Sequence, residues 1–146
     1  MGDNLGFLAT PSGNLFVIVA GLLWLFLSNW AARRKQARVF ARQFALGRVE
    51  ESFLRGQYLS SYRPAKEADK TSALFWNDQV IEWRDATGGL LETNWTKQDR
   101  DFFVSLLGEN RQQFAVGVHP ESAPLYIDLL RHLRNLETLK YQLSKA

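Results

Sequence analysis

The dominant feature of the hydrophobic pattern is an apolar run near the amino terminus. Thirteen consecutive apolar residues extend from Leu15 to Leu27 with no polar position at helical spacing. A helix on the surface of a soluble domain would show polar positions on one side. With its flanks, the segment 14–32 approaches the roughly 20 residues that an α-helix needs to cross a bilayer core about 30 Å thick. We predict a transmembrane helix at 14–32 after a short non-cytoplasmic tail at 1–13, with a cleaved signal peptide and an interfacial helix as alternatives.

The charges on the two sides of this run predict its orientation. Asp3 is the only charged residue ahead of it, whereas residues 33–55 carry seven Lys and Arg residues. Basic residues near a membrane helix stay on the cytoplasmic side, and a secretory signal would carry its positive charge before the apolar region. We expect the amino terminus outside and the rest of the chain in the cytoplasm, anchored in the inner (cytoplasmic) membrane. A mitochondrial inner membrane with the domain in the matrix is the alternative.

Four residues of the predicted membrane helix are candidates for packing within the bilayer. Gly21 and Ser28 repeat a small side chain at a spacing of seven, which is a weak sign of a helix-packing stripe. Trp30 falls where an interfacial aromatic anchor belongs. Trp24 falls near mid-membrane, where it either faces lipid or packs on another membrane subunit or a pigment-like cofactor.

Residues 33–56 are predicted to continue as a basic, amphipathic juxtamembrane helix. It carries apolar residues on one side and arginines on the other, and only Gly47 weakens it. The basic residues either set the topology alone, bind anionic lipid head groups, or bind an acidic partner. The candidate head-group ligands are Arg33, Arg34, Lys35, Arg38 and Arg42.

A connector at 57–71 leads to a small helical cytoplasmic domain at 72–146. The first predicted helix begins at Thr71 or Ser72 and ends at Gly88-Gly89, and the second runs from Thr96, where Thr96 and Asp99 resemble a capping box, to Gly108. A third covers Glu109–Val116, and the last follows Pro124 to the end of the chain. The apolar stripe of the first predicted helix and the heptad-spaced apolar residues of the last predicted helix pack either in the core of their own domain or on a partner. The candidate partner-binding residues are Trp76, Val80, Trp83, Leu129, His132, Leu136 and Leu143.

Composition narrows the classes of function. The 146 residues contain no cysteine, which excludes disulfides, thiolate metal sites and a cysteine nucleophile. Of the net charge of +3, residues 33–56 contribute +5, so the basic character lies beside the membrane rather than on the folded domain, where a nucleic-acid-binding protein would carry it. His119 and His132 are the only histidines, and no catalytic or phosphate-binding motif accompanies them. We therefore predict no enzyme, no cofactor and no metal site.

These observations predict an all-α, single-pass membrane protein with about three to four helices in its cytoplasmic domain. The favoured function is that of a non-catalytic accessory or assembly subunit of a larger membrane complex, whose other subunits and lipids are its partners. The five Trp and ten Phe residues support this function, because aromatic and Arg side chains are favoured as interface anchors, and they are equally suited to a hydrophobic core. A membrane-anchored adaptor for a soluble cytoplasmic protein is the second hypothesis, and a membrane-tethered enzyme the third.

Overall fold

The computed structural model describes the backbone of residues 11–106 and 115–145, and side chains from Ile18 onward within these ranges. This part of the chain forms α1 (Pro11–Ser61), α2 (Lys70–Asn94), α3 (Lys97–Val104) and α4 (Ala123–Lys145), and contains no strand. The predicted all-α class is confirmed. Most of the predicted tail at 1–13 and of the predicted helix at Glu109–Val116 lies outside the described residues.

The apolar amino-terminal segment belongs to α1. Within the described residues, no helix is both long enough and apolar enough to cross a membrane. The transmembrane helix at 14–32 therefore stays a prediction without support from this finding.

The chain forms two compact units, Met1–Ala41 and Arg42–Ala146, and α1 contributes to both. The second unit contains the hydrophobic core, which includes Val49 and Leu59 from α1. The predicted juxtamembrane helix thus supplies core residues, and the compact unit begins well before the predicted connector. Its fully buried large side chains include Trp83 of α2, Phe103 of α3 and Leu129 of α4.

Two tryptophans of α2 bind α1 through hydrogen bonds. Trp76 Nε1 donates to the carbonyl oxygen of Leu59 at 2.9 Å, and Trp83 Nε1 donates to that of Ser52 at 2.7 Å. The two donors are seven residues apart on α2, and their acceptors are seven residues apart on α1 in the reverse order. The two helices are therefore antiparallel. The Leu59 carbonyl is in the last turn of α1, where no helical N–H follows to satisfy it. The Trp76 indole therefore caps the end of α1 and satisfies its own buried N–H.

Gly56 permits the close approach of α1 to α2. A Cβ atom built on Gly56 would lie 2.5 Å from Trp83 Cζ2 and 2.8 Å from Leu133 Cδ2. We expected α1 to end at Gly56, but the helix continues to Ser61. The glycine is needed at this position because two large side chains occupy the space that any other side chain would fill.

The boundaries of α2 and α3 also differ from the sequence prediction. Asp69, rather than Thr71 or Ser72, caps α2 by accepting a hydrogen bond from the Ser72 N–H. The helix passes through Gly88-Gly89 to Asn94, because the fully buried Leu91 gains more from burial than two glycines cost. The capping box predicted at Thr96 and Asp99 is confirmed.

The side chain of Asn135 caps the carboxyl-terminal end of α3. The Asn135 side-chain amide, on α4, donates to the carbonyl oxygens of Phe102 and Ser105 at 3.0 Å and of Phe103 at 3.2 Å. The Phe102 carbonyl also accepts from the Ser105 N–H at 3.2 Å, whereas the carbonyls of Phe103 and Ser105 lie at the helix end, where no further helical N–H follows. One α4 side chain therefore ends α3 at Val104, ahead of the predicted end at Gly108.

We predict that Gly56→Ala destabilises the second unit, because the added methyl meets Trp83 and Leu133. Such overpacking costs about 1–3 kcal/mol of unfolding free energy. Gly47→Ala is the matched control: it lies on the same helix with no atom within 4 Å, so it should stabilise by up to about 1 kcal/mol. Urea denaturation of residues 42–146 measures both changes. Equal effects of the two substitutions would contradict the close contact.

Candidate functional site

The amino-terminal unit presents apolar side chains on every side of α1. All residues from Ile18 to Ala41 are exposed, and nine large apolar side chains between Ile18 and Trp30 are 47–69% exposed. Burying a side chain of this kind is worth about 1.5–3 kcal/mol. An apolar surface this extensive marks an interaction site with a protein or a membrane. We call residues 18–30 the apolar collar.

The predicted membrane-packing residues lie in this collar and at its edge. Trp24 is 69% exposed, and no atom lies within 4 Å of a Cβ built on Gly21. The Ser28 hydroxyl donates to the Leu25 carbonyl at 3.0 Å, so its polar group is satisfied within the helix. These residues are accessible to lipid or to another helix, and their packing role stays a prediction.

The basic residues that follow divide into two groups. The Arg34 guanidinium carbon lies 3.9 Å from the centroid of the Trp30 ring, a cation–π contact between residues one turn apart. Arg33, Lys35 and Arg38 are exposed, and within the described residues none of them forms an ion pair. We call Arg33, Arg34, Lys35 and Arg38 the basic belt.

Arg42 has a different partner from the one predicted. Its Nη2 donates to the carbonyl oxygen of Leu143 at 2.9 Å, in the last turn of α4. A guanidinium at a helix carboxyl terminus satisfies an unpaired carbonyl and faces the negative end of the helix dipole. Arg42 therefore joins α1 to α4, and its binding of a lipid head group stays a prediction.

The seven predicted partner-binding residues all lie in the core of the second unit. Each is at most 7% exposed, and Trp83 and Phe103 meet edge to face at 5.7 Å between ring centroids. The structure assigns these side chains to the core, which is the alternative that the sequence left open. A partner could reach them only by displacing the domain's own helices. The seven buried residues are Trp76, Val80, Trp83, Leu129, His132, Leu136 and Leu143.

Sequence reasoning missed an exposed aromatic surface on the opposite side of α1. Phe44, Leu54 and Tyr58 of α1, together with Tyr62 directly after its end, are 55–67% exposed and lie within about 80° of arc around the helix axis. The Tyr58 and Tyr62 ring centroids are 4.3 Å apart. We call these four residues the outer face of α1. Their spacings of four and ten were available in the sequence, but only the burial of the other side of α1 shows that this side is left over.

The described residues of the second unit form a cleft and a groove that are open to solvent. A cleft of about 130 Å³ contains the hydrogen-bonded hydroxyls of Ser52 and Thr87, but its Arg48 and Arg55 are paired with glutamates. A shallower groove of about 480 Å³ lies between α1 and α4, crossed by the Lys140–Glu50 ion pair at 2.7 Å. Among the described residues, no three potential metal-ligating side chains converge.

His132 is a buried titratable group. Its side chain packs on Phe103 with 5.2 Å between ring centroids, and its Nδ1 is buried without a hydrogen-bond partner. Burial lowers the pKa of His132 below the usual value, against a hydrogen bond to the Val104 backbone and the charge of Asp128, which raise it. The positive charges of Arg84 and Arg131 act in the same direction as burial. His132 is therefore neutral in the core near pH 7.

Comparison with known proteins gives no relatives: no protein-family model matches the chain, and no curated protein or solved structure is significantly similar to it.

We predict that acidification destabilises the second unit through His132. The unfolded state binds a proton below about pH 6.5 and the folded state only at lower pH, so stability is complete above pH 6.5 and falls as the pH drops below it. The slope is at most about 1.4 kcal/mol per pH unit. Urea denaturation between pH 7.5 and pH 5 measures it.

His132→Phe should flatten this dependence, since a neutral ring can occupy the same site against Phe103. His119→Gln is the control, because His119 lies in a partly exposed turn. An unchanged pH slope in the His132 variant would show that other groups cause the acid sensitivity.

Proposed function

We propose that this chain is a non-catalytic, single-pass accessory or assembly subunit of a larger membrane protein complex. The apolar collar lies in the bilayer, with the amino terminus outside, and the helical unit from Arg42 onward lies in the cytoplasm. The observation that carries the proposal is the exposure of nine large apolar side chains all around α1 between Ile18 and Trp30. The sequence adds thirteen uninterrupted apolar residues and a basic cluster directly after them.

The basic belt supports the orientation. No carboxylate occurs between Asp3 and Glu50, so the positive charge after the collar is not compensated along the chain. Trp30 ends the collar at the position of an interfacial aromatic anchor. Arg34, one turn further along the helix, stacks its guanidinium on this indole and so holds a permanent charge beside it.

The outer face of α1 is the surface through which the domain would dock on the rest of the complex. Tyr and Phe are enriched in the buried centres of interfaces, where each side chain contributes a large contact area. The opposite side of α1 is already occupied by Trp83 and the core. The outer face therefore replaces the Trp76/Trp83 surface and the α4 seam as the candidate for partner binding.

The adaptor hypothesis is supported by a different observation, the closed hydrophobic core of the second unit. A domain with its own core can fold without a complex and bind a soluble partner. An adaptor would be recovered from the membrane as a small species. A structural subunit would be recovered with stoichiometric membrane companions.

We predict that the full-length protein, extracted in mild detergent, migrates on a native gel in a large, stoichiometric complex whose other members mass spectrometry identifies. The double variant Leu54→Ser/Tyr58→Ser should reduce the fraction in this band at least tenfold, since two large apolar contacts are removed. Leu74→Ser/Phe75→Ser, at comparably exposed positions on α2, is the matched control and should leave the band unchanged.

A wild-type band that contains only this chain would contradict the subunit proposal and favour the adaptor. Equal loss in both double variants would remove the outer face of α1 as the specific docking surface. The subunit proposal itself would still be decided by the size and composition of the wild-type band.

A further inference from the structure

We propose that Trp30, Arg34 and Arg38 form a binding site for the phosphate group of anionic phospholipids. The inference deepens the proposed function and rests on it, because it places these residues at the membrane surface. It goes beyond the orientation of the helix, for which any cluster of positive charges is sufficient.

Arg34 is held in position by the Trp30 ring. Its guanidinium carbon lies 3.9 Å from the Trp30 ring centroid, so one face of the planar group is covered by the indole. The N–H groups point outward in the plane of the guanidinium, and stacking leaves them available. A guanidinium held on an aromatic ring loses less side-chain freedom when it binds a bidentate oxygen ligand. Arg34 is therefore prepared to bind two oxygens of one phosphate.

Arg38 lies beside Arg34 on the same face of the helix. It is exposed and lies one helical turn beyond Arg34, where residues four apart share a face of the helix with Cβ atoms about 5–6 Å apart. Within the described residues Arg38 makes no ion pair, whereas Arg42, the next arginine on this face, is bound to the Leu143 carbonyl. The site therefore contains Arg34 and Arg38, and Arg42 does not belong to it.

The spacing from Trp30 sets the depth of Arg34 and Arg38 in the bilayer. With about 1.5 Å of rise per residue, Arg34 lies roughly 6 Å and Arg38 roughly 12 Å beyond Trp30 along the helix. The polar region on each side of a bilayer core is about 5–8 Å thick. An indole at the boundary of the apolar core thus holds the Arg34 guanidinium, 3.9 Å from its ring, in the inner part of the polar region. The backbone of Arg38 lies beyond that region, and its long side chain, which leaves the helix tilted toward the amino terminus, reaches back toward the lipid phosphates. With no carboxylate between Asp3 and Glu50, the ligand of complementary charge is an anionic lipid.

The test uses full-length protein in nanodiscs of phosphatidylcholine and phosphatidylglycerol, followed by mass spectrometry of the lipids that remain bound after transfer to detergent. We expect phosphatidylglycerol to be enriched. Arg34→Gln and Arg38→Gln should each lower the enrichment about fivefold, the factor expected for one basic residue at the surface. Arg34→Lys should lower it as well, because Lys keeps the charge but has no planar fork.

Arg134→Gln is the matched control, since it removes the same charge from an exposed position on α4. Equal losses in Arg134→Gln and Arg34→Gln, or full enrichment in Arg34→Lys, would overturn the site in favour of a general charge effect. Displacement of the bound lipid by millimolar glycerol phosphate would overturn the assignment to lipid in favour of a soluble phosphate ester.

Incorporation into nanodiscs of phosphatidylcholine alone separates this inference from the proposed function. A protein that enters neutral nanodiscs without enriching anionic lipid refutes the binding site and retains the anchor. A protein that enters neither kind of nanodisc refutes both.

Discussion

The fold depends on the contact between Gly56 of α1 and the Trp83 ring of α2. Because a side chain at position 56 would lie 2.5 Å from this ring, the glycine determines how closely the two helices approach. The same approach brings the indole N–H groups of Trp83 and Trp76 to the carbonyls of Ser52 and Leu59. Two buried polar groups are thus satisfied by α1 itself, and the cost of leaving a buried donor unpaired is avoided. The remaining core, from Phe103 to the leucines of α4, packs on the surface that these contacts create.

This constraint gives α1 two roles. Its carboxyl-terminal part, with Val49 and Leu59, is the first helix of the folded unit, whereas the apolar collar contributes nothing to that core. The collar must therefore find its burial elsewhere, and a bilayer or the membrane helices of a complex are the environments that accept an apolar surface on all sides of a helix. In the proposed arrangement, the domain is joined to the membrane by a helix that is part of its own core. The outer face of α1 is the part of this helix that remains open to a partner.

The sequence predicted the features that depend on local patterns. The all-α class, the capping box at Thr96 and the start of α4 follow from spacing and from capping chemistry that neighbouring residues supply. Features that depend on distant residues were not predictable. Gly56 has the pattern of a helix end until Trp83 is placed against it, and no local pattern indicates the hydrogen bond from Arg42 to the distant Leu143 carbonyl. The same reason explains the exchange of surfaces: a Trp76/Trp83 stripe is equally suited to a core and to an interface, and only the packed domain decides between them.

The most direct test of the account is the accessibility of α1 in native membranes. The chain has no cysteine, so single-cysteine variants at Leu23, Leu27 and Gln57 each carry one thiol, and all three positions are exposed in the structure. The thiols are treated with a water-soluble maleimide in membranes opened so that both surfaces are accessible. The account predicts rapid labelling of the Gln57→Cys variant, and labelling of Leu23→Cys and Leu27→Cys only after the membrane is dissolved with a denaturing detergent. Labelling of all three variants at the same rate in intact membranes would contradict it.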